Sequence, residues 1–205
     1  MSADEPIVYV VDDDPGMRQS TTLLLQSAGL SCAAYASAGD FLGAYQPRRA
    51  GCLILDLQLP GMGGIDLVEE LRTRGMALPV LIVSGTGTIH MAVTGMKLGV
   101  LDFLEKPADP QTLLTKVRAA LDLDARNRAE AAEKQDIRDR FASVTSRERE
   151  LLKLLVEGQS SKQIASMLGI SIKTVENHRT HLMEKTRATN IADLVRMSML
   201  IDAHK

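Results

Sequence analysis

The chain contains no apolar run approaching the roughly 18–20 residues of a membrane-spanning helix; its longest, near Leu78–Val83, is strand-sized. The N-terminus, MSADEPIVYV, lacks the basic region that opens a secretory signal. Only two cysteines are present, Cys32 and Cys52, far apart, in apolar contexts and without C-x-x-C or zinc-ligand spacing. These absences lead us to expect a reduced, cytoplasmic chain with no membrane partner. Several catalytic signatures are missing as well: there is no G-x-x-x-x-G-K-[ST] phosphate loop, no H-E-x-x-H and no G-x-S-x-G. Gly85-Thr86-Gly87 opens like a dinucleotide fingerprint, but residue 90 is His90 and the segment follows the fourth candidate strand. No internal repeat occurs.

The 205 residues suffice for one large domain or two small ones, and 45% apolar with 24% charged is ordinary for a folded chain. The net charge of −2 hides an asymmetry. Residues 1–122 carry 9 Lys and Arg against 14 Asp and Glu, residues 123–142 carry 5 against 5, and residues 143–205 carry 10 against 7. An acidic half joined to a mildly basic half hints at two tasks.

Short β-rich runs alternate with helical patterns over the first 120 residues. Candidate strands are Ile7–Val11, Ser31–Tyr35, Cys52–Asp56, Pro79–Ser84 and Asp102–Lys106. Asp14-Pro15 reads as an N-cap followed by a first-turn proline, and Gly29 closes that helix. Five strands alternating with helices predict an α/β doubly wound parallel sheet, of flavodoxin-like class, over residues 6–122. After Leu123 the run DARNRAEAAEKQDIRDR is charged all round, which predicts a solvated helical linker over 123–142 rather than a core element.

Residues 143–205 read as a small all-α domain of four helices. Thr145 with Glu148 forms a capping box, Ser161 begins the second helix, Ser171 caps the third and Asn190 the fourth. SKQIASMLGISIKTVENHRT places a tight turn at Gly169 between two helices, a helix-turn-helix whose second helix would enter a DNA major groove. The outward face of that helix carries Lys173, Glu176, Asn177, Thr180 and Glu184, with Thr174 beside them. Asn can read adenine and Glu can accept from cytosine, while Lys162, Arg179 and Lys185 are candidate phosphate contacts. His178 and His181 have no further metal ligands near in sequence.

In an open parallel sheet, ligands bind outside the carboxyl ends of the strands. Asp12 and Asp13 end the first strand, Asp56 the third, Ser84 the fourth and Lys106 the fifth. Three neighbouring carboxylates call for a hard divalent cation such as Mg2+. A carboxylate can itself accept a phosphoryl group, whose oxygens then need the positive charge and hydrogen-bond donors that Lys106 and Ser84 could supply.

VVDDDP, LDLQLPGMGG, VSGTGT and DFLEKP, in this order, resemble the receiver domain of bacterial two-component response regulators. The resemblance implies that Asp56 accepts a phosphoryl group from a sensor histidine kinase. It implies that Asp12, Asp13 and Asp56 hold Mg2+ with the Gln58 backbone carbonyl, and that Lys106 and Ser84 bind the phosphoryl oxygens. It makes Phe103 an aromatic switch and Lys106-Pro107 a cis peptide bond. TSREREL, EGQSSKQIA, LGIS and KTVENH resemble the LuxR-type DNA-binding domain, with Thr186 where that family usually has Leu. The two together resemble the FixJ-like branch. That branch implies a transcriptional regulator that dimerises on phosphorylation, through a face here containing Val93, Lys97 and Asp102. It also implies double-stranded promoter DNA as partner, with RNA polymerase expected beside it. Gln58 and Thr86 flank the acceptor and could tune the lifetime of the phosphate. Two other readings stay open: a constitutive DNA-binding protein with a vestigial receiver, and a phosphohydrolase using Asp56. Against the phosphohydrolase, residue 58 is Gln where such enzymes need a second Asp. The chain is expected to be a non-enzyme.

Overall fold

The computed structural model describes residues 5–85 and 89–202, with the side chains of 89–92 and 202 outside that description. Thr86, flagged above beside the acceptor, lies outside the described residues, as does the His90 side chain. The chain forms two compact units, Met1–Arg128 and Ala129–Lys205.

In the first unit five strands pair in parallel: β1 (Ile7–Val11), β2 (Ser31–Tyr35), β3 (Gly51–Leu55), β4 (Val80–Ser84) and β5 (Asp102–Glu105), in spatial order β2-β1-β3-β4-β5. Helices α1 (Pro15–Ser27), α2 (Ala38–Ala44), α3 (Gly64–Thr73), α4 (Ile89–Lys97) and α5 (Pro110–Ala142) follow successive strands. Alternation along each strand feeds two cores. Val8, Val10, Cys52, Ile54, Leu81 and Val83 pack with Leu25 of α1 and Leu113, Leu114 and Val117 of α5. Tyr9, Val11, Leu53, Leu55, Val80 and Ile82 pack with Phe41 of α2 and Leu67, Val68 and Leu71 of α3. Strands apolar on both faces suit a sheet covered on both sides. The strand order reverses between β1 and β3, so their carboxyl ends open the crevice where such sheets bind ligands.

The charged run after Leu123 corrects the expectation of a purely solvated linker. It continues α5 as one helix to Ala142, and parts of it are buried. Asp124 is 1% exposed, and its carboxylate accepts from the Gly51 N–H and from Arg128 Nε. The Arg128 guanidinium also donates to the carbonyls of Pro47, Arg48 and Arg49. Ile137 and Phe141, one turn apart on the same helix, are buried in the core of the second unit.

That second unit adds α6 (Ser146–Val156), α7 (Ser161–Leu168), α8 (Ile172–Thr186) and α9 (Ile191–Asp202). Leu151, Ile164, Val175, Leu182 and Leu194 are fully buried together. The Thr145–Glu148 capping box opens α6, Ser160 with Gln163 opens α7, and Ser171 caps α8. Between α7 and α8, Gly169 takes φ +64, a left-handed conformation that glycine adopts without a Cβ penalty. Thr186 is fully buried, and its hydroxyl donates to the Leu182 carbonyl at 2.7 Å, which satisfies the polar atom that Leu would not carry.

Candidate functional site

Each strand of the crevice ends in a chemically active residue for a local reason. β1 stops at Val11, and the next residues turn away to start α1. Asp14 caps that helix, accepting from Gly16 N at 2.7 Å and Met17 N at 3.1 Å, as its sequence position implied. Asp12 Oδ1 accepts from Asp14 N at 3.0 Å. β3 ends at Leu55, one residue earlier than expected, which puts Asp56 on the loop with Oδ1 accepting from Gln58 N at 3.2 Å. Gly64, at the start of α3, is forced by crowding: a Cβ there would lie 2.4 Å from the Asp56 carbonyl oxygen. Lys106 follows β5, and the Lys106-Pro107 peptide is cis.

The structure brings Asp12, Asp13 and Asp56 together, with one carboxylate oxygen from each inside a 4.8 Å span. Asp12 and Asp56 are buried and Asp13 is exposed. Lys106 Nζ bridges the buried pair, donating to Asp12 Oδ2 and Asp56 Oδ2 at 2.6 Å each. Desolvation pulls the lysine's pKa down, but the two carboxylates outweigh it and hold the ammonium above its ordinary value. Three carboxylates against one ammonium still leave a net charge of about −2, presented by hard oxygen donors, as a divalent cation of Mg2+ type requires. Ser84 ends β4 beside this cluster in the sheet, and its backbone carbonyl accepts from Lys106 N at 3.1 Å. Its hydroxyl is buried and has no hydrogen-bond partner among the described residues. A buried orphan hydroxyl carries a desolvation cost that an incoming oxyanion would relieve. Phe103, two residues back from Glu105, is half-buried against the α2–α3 side core.

Sequence reasoning missed Arg18. Its Nη1 donates to the backbone carbonyls of both Asp12 and Asp13 at 2.8 Å. The available signal was a basic residue one turn into a helix that starts directly after the acidic run.

On the face suggested for self-association, Val93 is 46% and Met96 56% exposed, and Lys97 is exposed. Asp102 is instead ion-paired with Lys116 at 2.5 Å, and that hydrogen bond holds its carboxyl below the usual range.

In the second unit the DNA-contact candidates divide. Lys162, Lys173 and Asn177 are exposed and make no ion pair or side-chain hydrogen bond among the described residues. Thr174 shares a hydrogen bond with the capping Ser171 at 2.8 Å, and Thr180 donates to the Glu176 carbonyl at 3.1 Å. Glu176 and Arg179 are tied to each other at 3.3 Å and to Ser161 at the start of α7. Lys185 donates to both oxygens of the buried Glu148 at 2.9 and 2.8 Å, so its charge is absorbed by the fold and it is a poor phosphate contact. Among the described residues His178 and His181 join no cluster of three metal-ligating side chains.

The sequence model of the response regulator receiver domain matches residues 8–118, and that of the LuxR family of bacterial regulatory proteins matches residues 142–198. The chain is 40% identical to the transcriptional regulatory protein FixJ of Azorhizobium caulinodans, over 94% of this chain and 92% of that one. It is 37% identical to the response regulator protein TodT of Pseudomonas putida, over 97% of this chain and 87% of that one. Among solved structures the response regulator StyR superposes with a TM-score of 0.85 at 38% identity, covering 95% of this chain and 98% of that one. The receiver and LuxR-type matches lie in one chain, and the likeness to these regulators runs along nearly its whole length, so the chain belongs to the two-component response regulators, as a phosphorylation-controlled transcriptional regulator with a LuxR-type DNA-binding domain.

Proposed function

We propose that Asp56 accepts a phosphoryl group from a sensor histidine kinase, and that the phosphorylated chain dimerises and binds two-fold promoter DNA. The observation that carries this reading is the bridging of Asp12 and Asp56 by Lys106, with Asp13 completing the carboxylate cluster. An Asp56 oxygen attacks phosphorus while the nitrogen–phosphorus bond of the donor breaks, and the imidazole leaves neutral, keeping the bonding pair. Asp12, Asp13, Asp56 and the Gln58 carbonyl would hold Mg2+, which, bound there, neutralises carboxylates that otherwise repel the incoming phosphoryl oxygens. Lys106 follows the new charge by exchanging its bond to Asp56 for a phosphoryl oxygen. Ser84 turns its free hydroxyl to another oxygen, and Phe103 repacks into the space this movement opens. The α4–β5 face with Val93, Lys97 and Asp102 then pairs with a second copy. Asp102 contributes there only if its bond to Lys116 is exchanged.

On DNA, Lys173 and Asn177 meet base edges and Lys162 meets phosphate, because these side chains are exposed and uncommitted among the described residues. Thr174 and Thr180 remain within reach of the backbone, while Glu176 and Arg179 act as a joined pair. RNA polymerase is the partner a promoter-bound regulator addresses. A kinase donor and a promoter target both imply action in the cytoplasm. The chain acts as a regulator rather than a turnover enzyme.

The test is intact mass after incubation with Mg2+ and acetyl phosphate, wild type beside Asp56→Asn, with a sizing column on the same samples. One phosphoryl group gained by wild type alone, with a shift to dimer, is the expected result. Phosphorylation without dimerisation refutes the proposed output, and no phosphorylation refutes the acceptor role and favours a constitutive DNA binder.

A further inference from the structure

We propose that Arg18 is a positioning residue that builds the divalent-cation site by locking the backbone beneath Asp12 and Asp13. A single guanidinium nitrogen, Nη1, donates to both carbonyls at 2.8 Å. These two carbonyls lie just past the end of β1, whose pairing with β2 and β3 stops at Val11. Asp14 N–H already donates to Asp12 Oδ1, but past the strand ladder the Asp12 and Asp13 carbonyls need a donor of their own. Bringing both carbonyls to one nitrogen fixes the two peptide planes relative to each other. That orientation decides whether two successive carboxylates, which would point apart in an extended strand, converge on Asp56. Here they do converge, within the 4.8 Å span.

Arg18 is anchored for this task. It stands in α1 one turn beyond the N-cap, and its backbone N–H donates to the Asp14 carbonyl at 3.0 Å. The helix that holds the arginine is itself started by the acidic loop, so cap, helix and loop form one closed unit. Among the described residues the Arg18 guanidinium bonds to these two carbonyls and to no carboxylate. The arginine therefore reaches the cation site through backbone and leaves the carboxylate oxygens for the cation.

Two effects of this residue oppose each other. As a positive charge near the site, Arg18 repels a dication, so its removal would tighten binding. As a backbone lock it assembles the ligands, so its removal would loosen binding. The charge lies at a partly solvated position and is screened by salt, whereas the lock is a geometric requirement that salt does not weaken. The lock is expected to win. Outer partners of metal ligands cost roughly 10–100-fold in affinity when removed.

This inference rests on reading Asp12, Asp13 and Asp56 as the Mg2+ site, and the experiment separates the two. Mg2+ is titrated into the unphosphorylated full chain by calorimetry, for wild type, Arg18→Met and Arg18→Lys. Acetyl phosphate labelling is then followed against Mg2+ concentration by intact mass. Arg18→Met is expected to weaken Mg2+ binding about tenfold and to raise the half-saturating Mg2+ by the same factor. The labelling rate at saturating Mg2+ should stay within about twofold of wild type, because the acceptor and Lys106 are untouched. Arg18→Lys keeps the charge but replaces the planar donor, and it should also lose affinity. If Arg18→Met fails to fold, Arg18→Lys alone decides. Wild-type or tighter Mg2+ affinity in the folded variants overturns the positioning role while leaving the site intact. No Mg2+ binding by wild type takes down both.

Discussion

Replacing Arg128 by Met should destabilise the first unit by about 2–3 kcal/mol, because it strands a buried carboxylate. The Asp124 side chain is 2% exposed and that of Arg128 32% exposed, so the two partners differ in what they can recover from solvent. On loss of the guanidinium, the Pro47 and Arg48 carbonyls stand on exposed residues and rehydrate cheaply. Asp124 does not rehydrate, and it keeps only the Gly51 N–H at 2.9 Å. Breaking a fully buried pair costs roughly 3–5 kcal/mol, and the partial exposure of the arginine together with the surviving Gly51 bond brings this down to the range given. Asp124→Ala should cost about 2 kcal/mol, chiefly by leaving the Gly51 N–H unsatisfied. The double variant should resemble Asp124→Ala alone, since no charge is then stranded, giving a coupling of about 2 kcal/mol. The assay is built into the composition: the chain has no Trp and 3 Tyr, and Tyr9, Tyr35 and Tyr45 all lie in the first unit. Urea unfolding followed by tyrosine fluorescence therefore reports that unit alone. A shift below about 0.5 kcal/mol for Arg128→Met, or simple additivity in the double variant, would refute the reasoning.

Three further outcomes follow from the geometry. Gly64→Ala forces a Cβ to 2.4 Å from the Asp56 carbonyl oxygen and 2.8 Å from Leu57 Cα, both backbone, so the loop must move; acetyl phosphate labelling by intact mass should slow at least about tenfold. Burial pushes the Glu148 carboxyl up, but the Lys185 and Thr145 donors outweigh it and hold its pKa at about 2, well below the usual carboxylate range. A depressed folded pKa stabilises above the unfolded value and is lost as pH falls, so about 2 kcal/mol of second-unit stability should disappear between about pH 5 and 2. Lys185→Met should flatten that dependence in acid titrations monitored by circular dichroism. Thr186→Val keeps the buried shape and drops a hydroxyl bonded to the already engaged Leu182 carbonyl, so thermal unfolding of the second unit should shift by less than about 1 kcal/mol.

The set of strands and the acidic cluster were legible because each depends on short-range pattern. Strands such as Ile7–Val11 announce themselves by apolar composition, and the polar residue after each apolar run marks its carboxyl end. Three strands shifted at one or both ends by a residue, and at β3 the shift moved Asp56 from strand to loop. What the pattern hid was the inward use of cations. Arg128 serves carbonyls 79–81 residues away and Lys185 serves a glutamate 37 residues away, distances over which a charged residue in sequence looks like any solvated surface group. The run after Leu123 misled for the same reason. Its charges dominate the average, while Asp124 is buried by its partners and Ile137 and Phe141 by their shared helix face. Arg18 differs in that its partners are local, and its spacing from the acidic run was readable in principle.

The inward cations also bear on how the proposed switch acts. Arg179 and Lys185 are engaged within the fold, so the uncommitted cations on α7 and α8, among the described residues, are Lys162 and Lys173. Each neutralised phosphate contributes roughly −0.9 to the slope of log affinity against log salt, and tight binders use about 6–10 such contacts. Two cations on the reading element of one copy fall well short of that. Joining two copies places the second recognition helix at a high effective concentration and multiplies affinity by roughly 10²–10⁴ with no new contact to DNA. On the proposed reading, phosphorylation at Asp56 therefore has no need to reshape the DNA-binding surface. It is enough that the receiver face carrying Val93 and Lys97 becomes self-adhesive, because a weakly charged recognition helix is a good detector of whether it arrives singly or in pairs.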